Sequence, residues 1–335
     1  MHSSADLQVP IHPSVRILTA FLLVLLAGCG GVKGGRNDSG TEYPARAVQF
    51  TVPFPPGGST DLVGRAVARA VEKPLGQSVP VANKPGANGA VGGKEVLASA
   101  PDGYNIALLV KSLFAITPLA TKDQTAIDLD KLKIVGTLTT EDYVLVVNAS
   151  SPHASLEDLL KAPSVKYATT GVGTGAQLSQ ALLFKSAGTN ATDVPFDGGA
   201  PAVTALLGAQ VDALAAAPSE VMQHVKAGKL RPLATFNEKR SSYLPDVPTV
   251  KEKGHDVVVD QRRFVVAPPG IPDAVAKKLA DSFTAARKDA DYDKFLKDNF
   301  VERWEVSEDE ARQHIKDARA QYAAQVEKFG LRLGK

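Results

Sequence analysis

Pro53-Phe54-Pro55-Pro56-Gly57-Gly58-Ser59-Thr60-Asp61 stands between two patterns of different period. Before it, Val48 to Val52 alternates as a buried strand does. After it, Leu62, Val63, Ala66, Val67, Ala70 and Val71 fall at the spacing of one helix face. The stretch therefore reads as a rigid loop, opened by glycine, that delivers a helix N-terminus. Such an end presents unpaired backbone N–H groups and partial positive charge, which together favour an anion. Gly57 and Gly58 let a ligand approach the backbone closely. Ser59 or Thr60 can cap the helix or donate a hydroxyl. An ordinary strand-to-helix turn has the same local signature, so the rest of the chain must decide between them.

Strand and helix patterns alternate on both sides of this loop, which argues an α/β fold with mostly parallel sheets. A helix over Asp61–Lys73 is stopped by Pro74, and strands follow at Val79–Ala82 and Ile106–Val110. A second βα series begins after Tyr143–Asn148. It comprises Leu156–Leu160 with Ser155 as N-cap, the strand Lys166–Thr170, and the helix Gln177–Ala187 ended by Gly188. Asp193–Phe196, Val211–Ala215 and Leu230–Thr235 read as strands. Pro201–Leu207 and Ser219–Ala227 read as helices, the latter capped by Ser219. The C-terminal part is helical over Pro272–Ala290 and Ser307–Phe329, where Ser307 and Glu310 make a capping-box pattern. Apolar runs at 144–147 and 257–266 each suit a crossover between two lobes, and two crossovers imply a hinge.

Three strand-to-helix loops share one chemistry. They are Pro55 to Asp61, Thr169 to Gln177 (Thr-Thr-Gly-Val-Gly-Thr-Gly-Ala-Gln), and Phe196-Asp197-Gly198-Gly199-Ala200. Each sets glycine, and the first two also hydroxyls, at a helix start. In open α/β sheets ligands sit beyond the carboxyl ends of the strands, where all three loops fall. The Gly171–Gly175 run superficially resembles a dinucleotide fingerprint, with Asp193 at the distance of a ribose acid, but a lone G-x-G is a weak signal. No G-x-S-x-G elbow, H-E-x-x-H or P-loop is present. His153, His224, His255 and His314 are scattered, and Cys29 is the sole cysteine, so neither a metal site nor an internal disulfide is expected. An exported hydrolase using Ser59 or Thr174 would lack a base placed beside either hydroxyl.

With 335 residues, 44% hydrophobic residues and a net charge of +2, the chain is an ordinary globular sequence of about two domains. That charge offers no case for nucleic acid. Arg16 precedes the apolar run Ile17–Leu26 and then Leu26-Ala27-Gly28-Cys29, the form of a signal peptide over residues 1–28. Its end resembles the bacterial lipobox, with Cys29 as the lipidated residue. Residues 29–42 then form a flexible tether.

As a set, the motifs are specific. Pro53–Asp61, Asn83-Lys84-Pro85-Gly86, Pro101-Asp102-Gly103-Tyr104, Val194–Pro201, Leu206–Asp212 and Pro245–Thr249 occur in this order over Val48 to Ala290. The chain resembles the extracytoplasmic solute receptors of tripartite tricarboxylate transporters, the Bug receptors. The resemblance implies an α/β, two-lobed periplasmic-binding-protein-like fold (Venus flytrap, type II) with two crossover strands. Lobe 1 would comprise residues 43–147 and 258–335, and lobe 2 residues 148–257. With the lipobox at Cys29 and no catalytic constellation, the expected protein is a non-enzymatic, cofactor-free monomer, lipid-anchored on the envelope membrane. That monomer would close on a small carboxylate and present it to permease subunits. A sensory lipoprotein feeding a signalling partner would share all these features.

Carried over residue by residue, the ligand-binding set is Phe54, Gly58, Ser59, Thr60 and Asp61 in lobe 1. In lobe 2 it is Thr170, Gly173, Thr174 and Gln177, with Phe196, Asp197 and Gly198 beside them. Lys111 and Ser112 occupy a cleft-facing loop, and Arg262 matches the Arg of the family's Trp-Arg-Gly, where this chain reads Gln261-Arg262-Arg263. The family often has His where Gln177 stands, and a basic or neutral polar residue where Asp197 stands. Asp197 either turns outward as a helix cap or turns inward, where it would favour a zwitterion or a less charged acid over citrate.

Overall fold

The computed structural model describes residues 43–121 and 127–334. The signal segment 1–28, Cys29 and the tether to residue 42 lie outside the described residues. Among those described, no helix is long and apolar enough to cross a membrane.

The first half of the chain alternates β1 (Gln49–Val52), α1 (Ser59–Leu75), β2 (Val81–Asn83), α2 (Ala90–Leu97) and β3 (Asn105–Val110). Two short helices, α3 (Lys111–Ala115) and α4 (Thr117–Ala120), follow, and then a ten-residue strand, β4 (Lys133–Asp142). The second series is β5 (Val144–Asn148), α5 (Leu156–Leu160), β6 (Val165–Thr169), α6 (Gly175–Ala187), β7 (Ala191–Pro195), α7 (Gly199–Leu207), β8 (Ala213–Ala216), α8 (Pro218–Lys226) and β9 (Leu230–Thr235). The chain returns through β10 (Asp260–Ala267), α9 (Asp273–Ala286), α10 (Ala290–Asp298), β11 (Glu302–Arg303) and α11 (Glu308–Lys328).

These strands build two sheets, ordered β11-β4-β10-β3-β1-β2 and β7-β6-β8-β5-β9. Pairing is parallel within β2-β1-β3 and β7-β6-β8. It is antiparallel wherever β4, β5 or β10 is involved. The sheets are therefore mixed rather than mostly parallel. The reason is topological: β4 leaves the first sheet and passes through Tyr143 directly into β5 of the second, and β10 returns. A strand entering from the other lobe runs against the βα strands it joins. β4 and β10 lie side by side, Asp260 opposite Asp142 and Arg263 opposite Thr139, so both crossings share one hinge line.

Alternation on the crossing strands divides the cores. Leu145 and Val147 pack with α6, while Val144 and Val146 pack with α7 and α8. In the first sheet Val265 packs with α1 and α9, and Phe264 and Val266 pack with Trp304 and α11. The far end of α11, through Ala318 and Tyr322, joins the core that contains α6 and Leu145.

Helices α1, α6 and α7 each begin two residues before the sequence reading, at Ser59, Gly175 and Gly199, and three further differences have local causes. Pro74 lies inside α1, which continues to Leu75 and closes on Gly76 in the left-handed region, φ 84°. Pro272–Ala290 is two helices, because Asp289 caps a new start by accepting from Tyr292 N–H. Helix α8 has Ala217, not Ser219, at its N-cap, and the Ser219 hydroxyl goes to Glu141 instead. The Ser155 cap and the Ser307–Glu310 capping box are present as the sequence reads.

Candidate functional site

Asp61 makes the first loop rigid. Its carboxylate accepts from Gly57 N–H at 2.9 Å, Arg65 Nε at 3.0 Å and Asn83 Nδ2 at 2.8 Å. Asn83 also donates to Phe54 O, so loop, helix and β2 are one braced unit. Burial alone would raise the Asp61 carboxyl, but the Arg65, Asn83 and Gly57 contacts hold it below the usual carboxylate range. Gly58 is the N-cap of α1, and Ser59 and Thr60 lie inside the helix with buried side chains.

Those two hydroxyls are claimed by a buried charged cluster. Ser59 Oγ donates to Glu141 Oε2 at 2.8 Å. Arg263 Nη2 donates to Ser59 Oγ at 2.5 Å and to Glu141 Oε2 at 2.6 Å. Arg263 also reaches Thr60 Oγ1 at 3.2 Å and Thr139 Oγ1 at 3.3 Å. The Arg263 and Glu141 side chains are 1% and 0% exposed, so the ion pair is out of water.

Contacts from the second lobe meet this cluster across the cleft. Ser219 Oγ donates to Glu141 Oε1 at 3.1 Å. Glu220, on α8, accepts from the Ser59 backbone N–H at 3.0 Å and from Ala217 N–H at 3.3 Å. A side-chain carboxylate of the chain itself thus sits at the N-terminus of α1. Burial is the main reason that its carboxyl is raised above the ordinary glutamate value. Farther along the cleft, Asn88 Nδ2 donates to Gly173 O at 3.0 Å and to the Ser112 and Thr117 hydroxyls.

Between these contacts lies a cavity of about 70 Å³. From the sequence-predicted set it is lined by Phe54, Gly58, Ser59, Thr60, Thr170, Thr174, Asp197 and Gly198, and it further gains Asn88, Tyr143, Glu220, Gln261 and Arg263. A depression of about 450 Å³ adjoins it, sharing Phe54, Asn88, Thr170, Thr174, Asp197 and Gly198 and adding Phe196. All three glycine-opened loops contribute to this one cleft. Asp197 is exposed and lines it; the N-cap of α7 is Gly198, with no side-chain cap, so Asp197 does not serve as one.

Other predicted residues lie elsewhere. Asp61 faces its own loop. Gln177 is buried and takes its Oε1 to Gly173 N–H and its Nε2 to Asp193 and Leu333 O. Lys111 and Arg262 line a separate cavity of about 360 Å³ on the hinge side, where both pair with Asp260. Strand alternation decides the arginines: Arg262 shares the Phe264 face and lies 5.0 Å over the Trp304 ring, whereas Arg263 turns to α1. His314, also at the hinge, is only partly exposed. Burial, then the Arg262 and Lys111 charges, push it down to about 4.

The model of the tripartite tricarboxylate transporter family receptor matches residues 63–331. The chain belongs to this family. It is 35% identical over 237 residues to Protein BugT of Bordetella pertussis, covering 69% of this chain and 73% of that one. It is 32% identical to a UPF0065 protein in the gbd 5′ region of Cupriavidus necator, covering 87% of this chain and 89% of that one. The solved periplasmic binding protein BugD superposes with a TM-score of 0.81 at 29% identity, over 88% of this chain and all of that one. MatC from Rhodopseudomonas palustris, solved with bound malate, gives 0.78 at 26% identity over 85% of this chain and 100% of that one. The two-lobed fold is that of periplasmic binding proteins, and the family's members are solute-binding receptors rather than enzymes, as the motif order implied.

Because the Glu220 carboxyl is raised on folding, its stabilising contribution is full below its unfolded value, near about 4.3, and is lost as pH rises through the raised value. Glu220→Gln cannot ionise. Its urea midpoint is expected to gain on the wild type between about pH 4 and about pH 7. An unchanged difference would show that Glu220 titrates alike in both states.

Proposed function

We propose that the chain is an extracytoplasmic receptor that captures a small organic carboxylate between its lobes and delivers it to the permease subunits of a tripartite tricarboxylate-type transporter. In this reading the receptor acts as a monomer held to the envelope membrane by lipid on Cys29. The observation that carries the reading is the convergence of the three glycine-opened loops, two from lobe 2 and one from lobe 1, on one cleft. Hydrogen bonds from hydroxyls and backbone N–H groups, rather than net positive charge, would hold the ligand. The malate bound to MatC supports a carboxylate as the class.

A thermal-shift screen against malate, succinate, citrate, amino acids and aromatic acids tests it. A ligand at a hundred times its dissociation constant stabilises the native state by about 2.7 kcal/mol, so one or more acids should raise the melting temperature by several degrees. No shift with any carboxylate would overturn the reading.

A further inference from the structure

The charge facing the cleft is of the wrong sign for a dianion. The acidic and basic residues that line the cavity are Asp197, Glu220 and Arg263. Arg263 is already bound to Glu141, which lies directly behind Ser59. Among the described residues, neither Asp197 nor Glu220 has a cationic partner within salt-bridge distance. At the N-terminus of α1 the Ser59 N–H is also taken, since it is donated to Glu220.

Glu220 is a seated wall of the site and not a loose arm. Ala217 N–H and Ser59 N–H hold its two oxygens from opposite lobes. Gly199 makes room for it: a Cβ there would lie 1.9 Å from Oε1. A ligand carboxylate entering the α1 slot would have to evict this side chain and then lie near Asp197 and Glu141. Gln261, which also lines the cavity, keeps its Oε1 buried without a protein partner. Around Glu220 and Gln261 the cleft thus offers acceptors where a carboxylate would need donors.

We propose that the ligand of this receptor carries a protonated amine as well as an acid group, and that Glu220 and Asp197 select it. The amine lies against Glu220, with Gln261 Oε1 and Asp197 as further acceptors. The acid group lies toward the Thr170 hydroxyl, since the Thr174 hydroxyl is already donated to Gly171 O. An ammonium brought beside Glu220 favours its charged form, offsetting the effect of burial. The inference rests on the receptor reading above, and it sets the ligand apart from a simple di- or tricarboxylate.

Two pairs of probes exchange one carboxylate for an ammonium at nearly constant shape: succinate with β-alanine, and glutarate with 4-aminobutanoate. Calorimetric titration of the full chain is expected to give the amine-bearing member of at least one pair about tenfold tighter binding than its diacid. Glu220→Gln and the surface change Asp197→Asn should each lower that ratio by about tenfold, with the diacid bound equally well or better. The ratio within a pair is unaffected by a general loss of folded protein, and Asp197→Asn leaves the α8 cap intact. Preferential binding of the diacids, strengthened further in Glu220→Gln, would overturn the amine preference and leave the receptor reading standing; it would make Glu220 a tethered competitor for the slot. Binding of other carboxylates but of none of these four would also overturn the preference alone. Binding of no carboxylate at all would overturn both readings.

Discussion

Arg263→Ala is expected to cost the fold about 3–5 kcal/mol at neutral pH, since it strands Glu141 as a buried carboxylate without its cation. Glu141 is 3% exposed and would keep only the hydroxyls of Ser59 and Ser219 as partners. Urea unfolding monitored by circular dichroism measures the loss. A deficit below about 1 kcal/mol would place the pair among ordinary surface bridges and refute the argument.

Removing both charges separates stability from function. Arg263→Met with Glu141→Leu is expected to recover most of the lost stability, because a well-packed apolar pair avoids the desolvation of two ions. Ligand affinity should not recover. Arg263 fixes the Ser59 and Thr60 hydroxyls at the first turn of α1, and no apolar side chain can orient them. The cluster joins β4, β10 and α1 of the first lobe to α8 of the second through Ser219. It is therefore both wall of the cleft and clasp between the lobes.

What the sequence reveals and what it hides divide along contact distance. The loop at Pro53–Asp61 is readable because a period of two gives way to a period of 3.6 within nine residues, and glycine marks the turn. β4 escapes the pattern reading because its polar residues are buried. Lys-Ile-Val-Gly-Thr-Leu-Thr-Thr-Glu-Asp packs Thr137, Thr139, Glu141 and Asp142 inside, so apolar alternation never appears. Glu141 finds its cation 122 positions later and Ser59 finds Glu220 161 positions later; no local spacing encodes either pairing. The Arg262 and Arg263 assignment did leave a signal. Phe264 and Val266 mark one face of β10 and Val265 the other, so parity alone directs Arg263 toward the helix whose N-terminus lines the cleft.

Lys111→Met is the second change of large expected effect, and its origin lies at the hinge and not in the cleft. Lys111 is 1% exposed and bonds Asp260 and the Tyr322 hydroxyl, tying the end of β3 to β10 and α11. Asp260 would be raised by burial, but Lys111 and Arg262 pull it well below the usual carboxylate range. Loss of Lys111 leaves Arg262 as a partner, so the cost should lie near the lower end for a broken buried pair, about 3 kcal/mol at neutral pH. The sign with pH follows from the depressed carboxyl. Stability from the pair is present above the unfolded aspartate value, about 3.9, and is lost as pH falls through the lower folded value. The gap between wild type and Lys111→Met in urea midpoint should therefore narrow between about pH 7 and about pH 3. An equal gap at both pH values would assign the loss to packing of the Lys111 stem instead of its charge. Ligand affinity is expected to stay within about threefold of wild type, because Lys111 lines the hinge cavity and makes no contact with the cleft. A large fall in affinity with little loss of stability would instead make the hinge charges part of lobe closure.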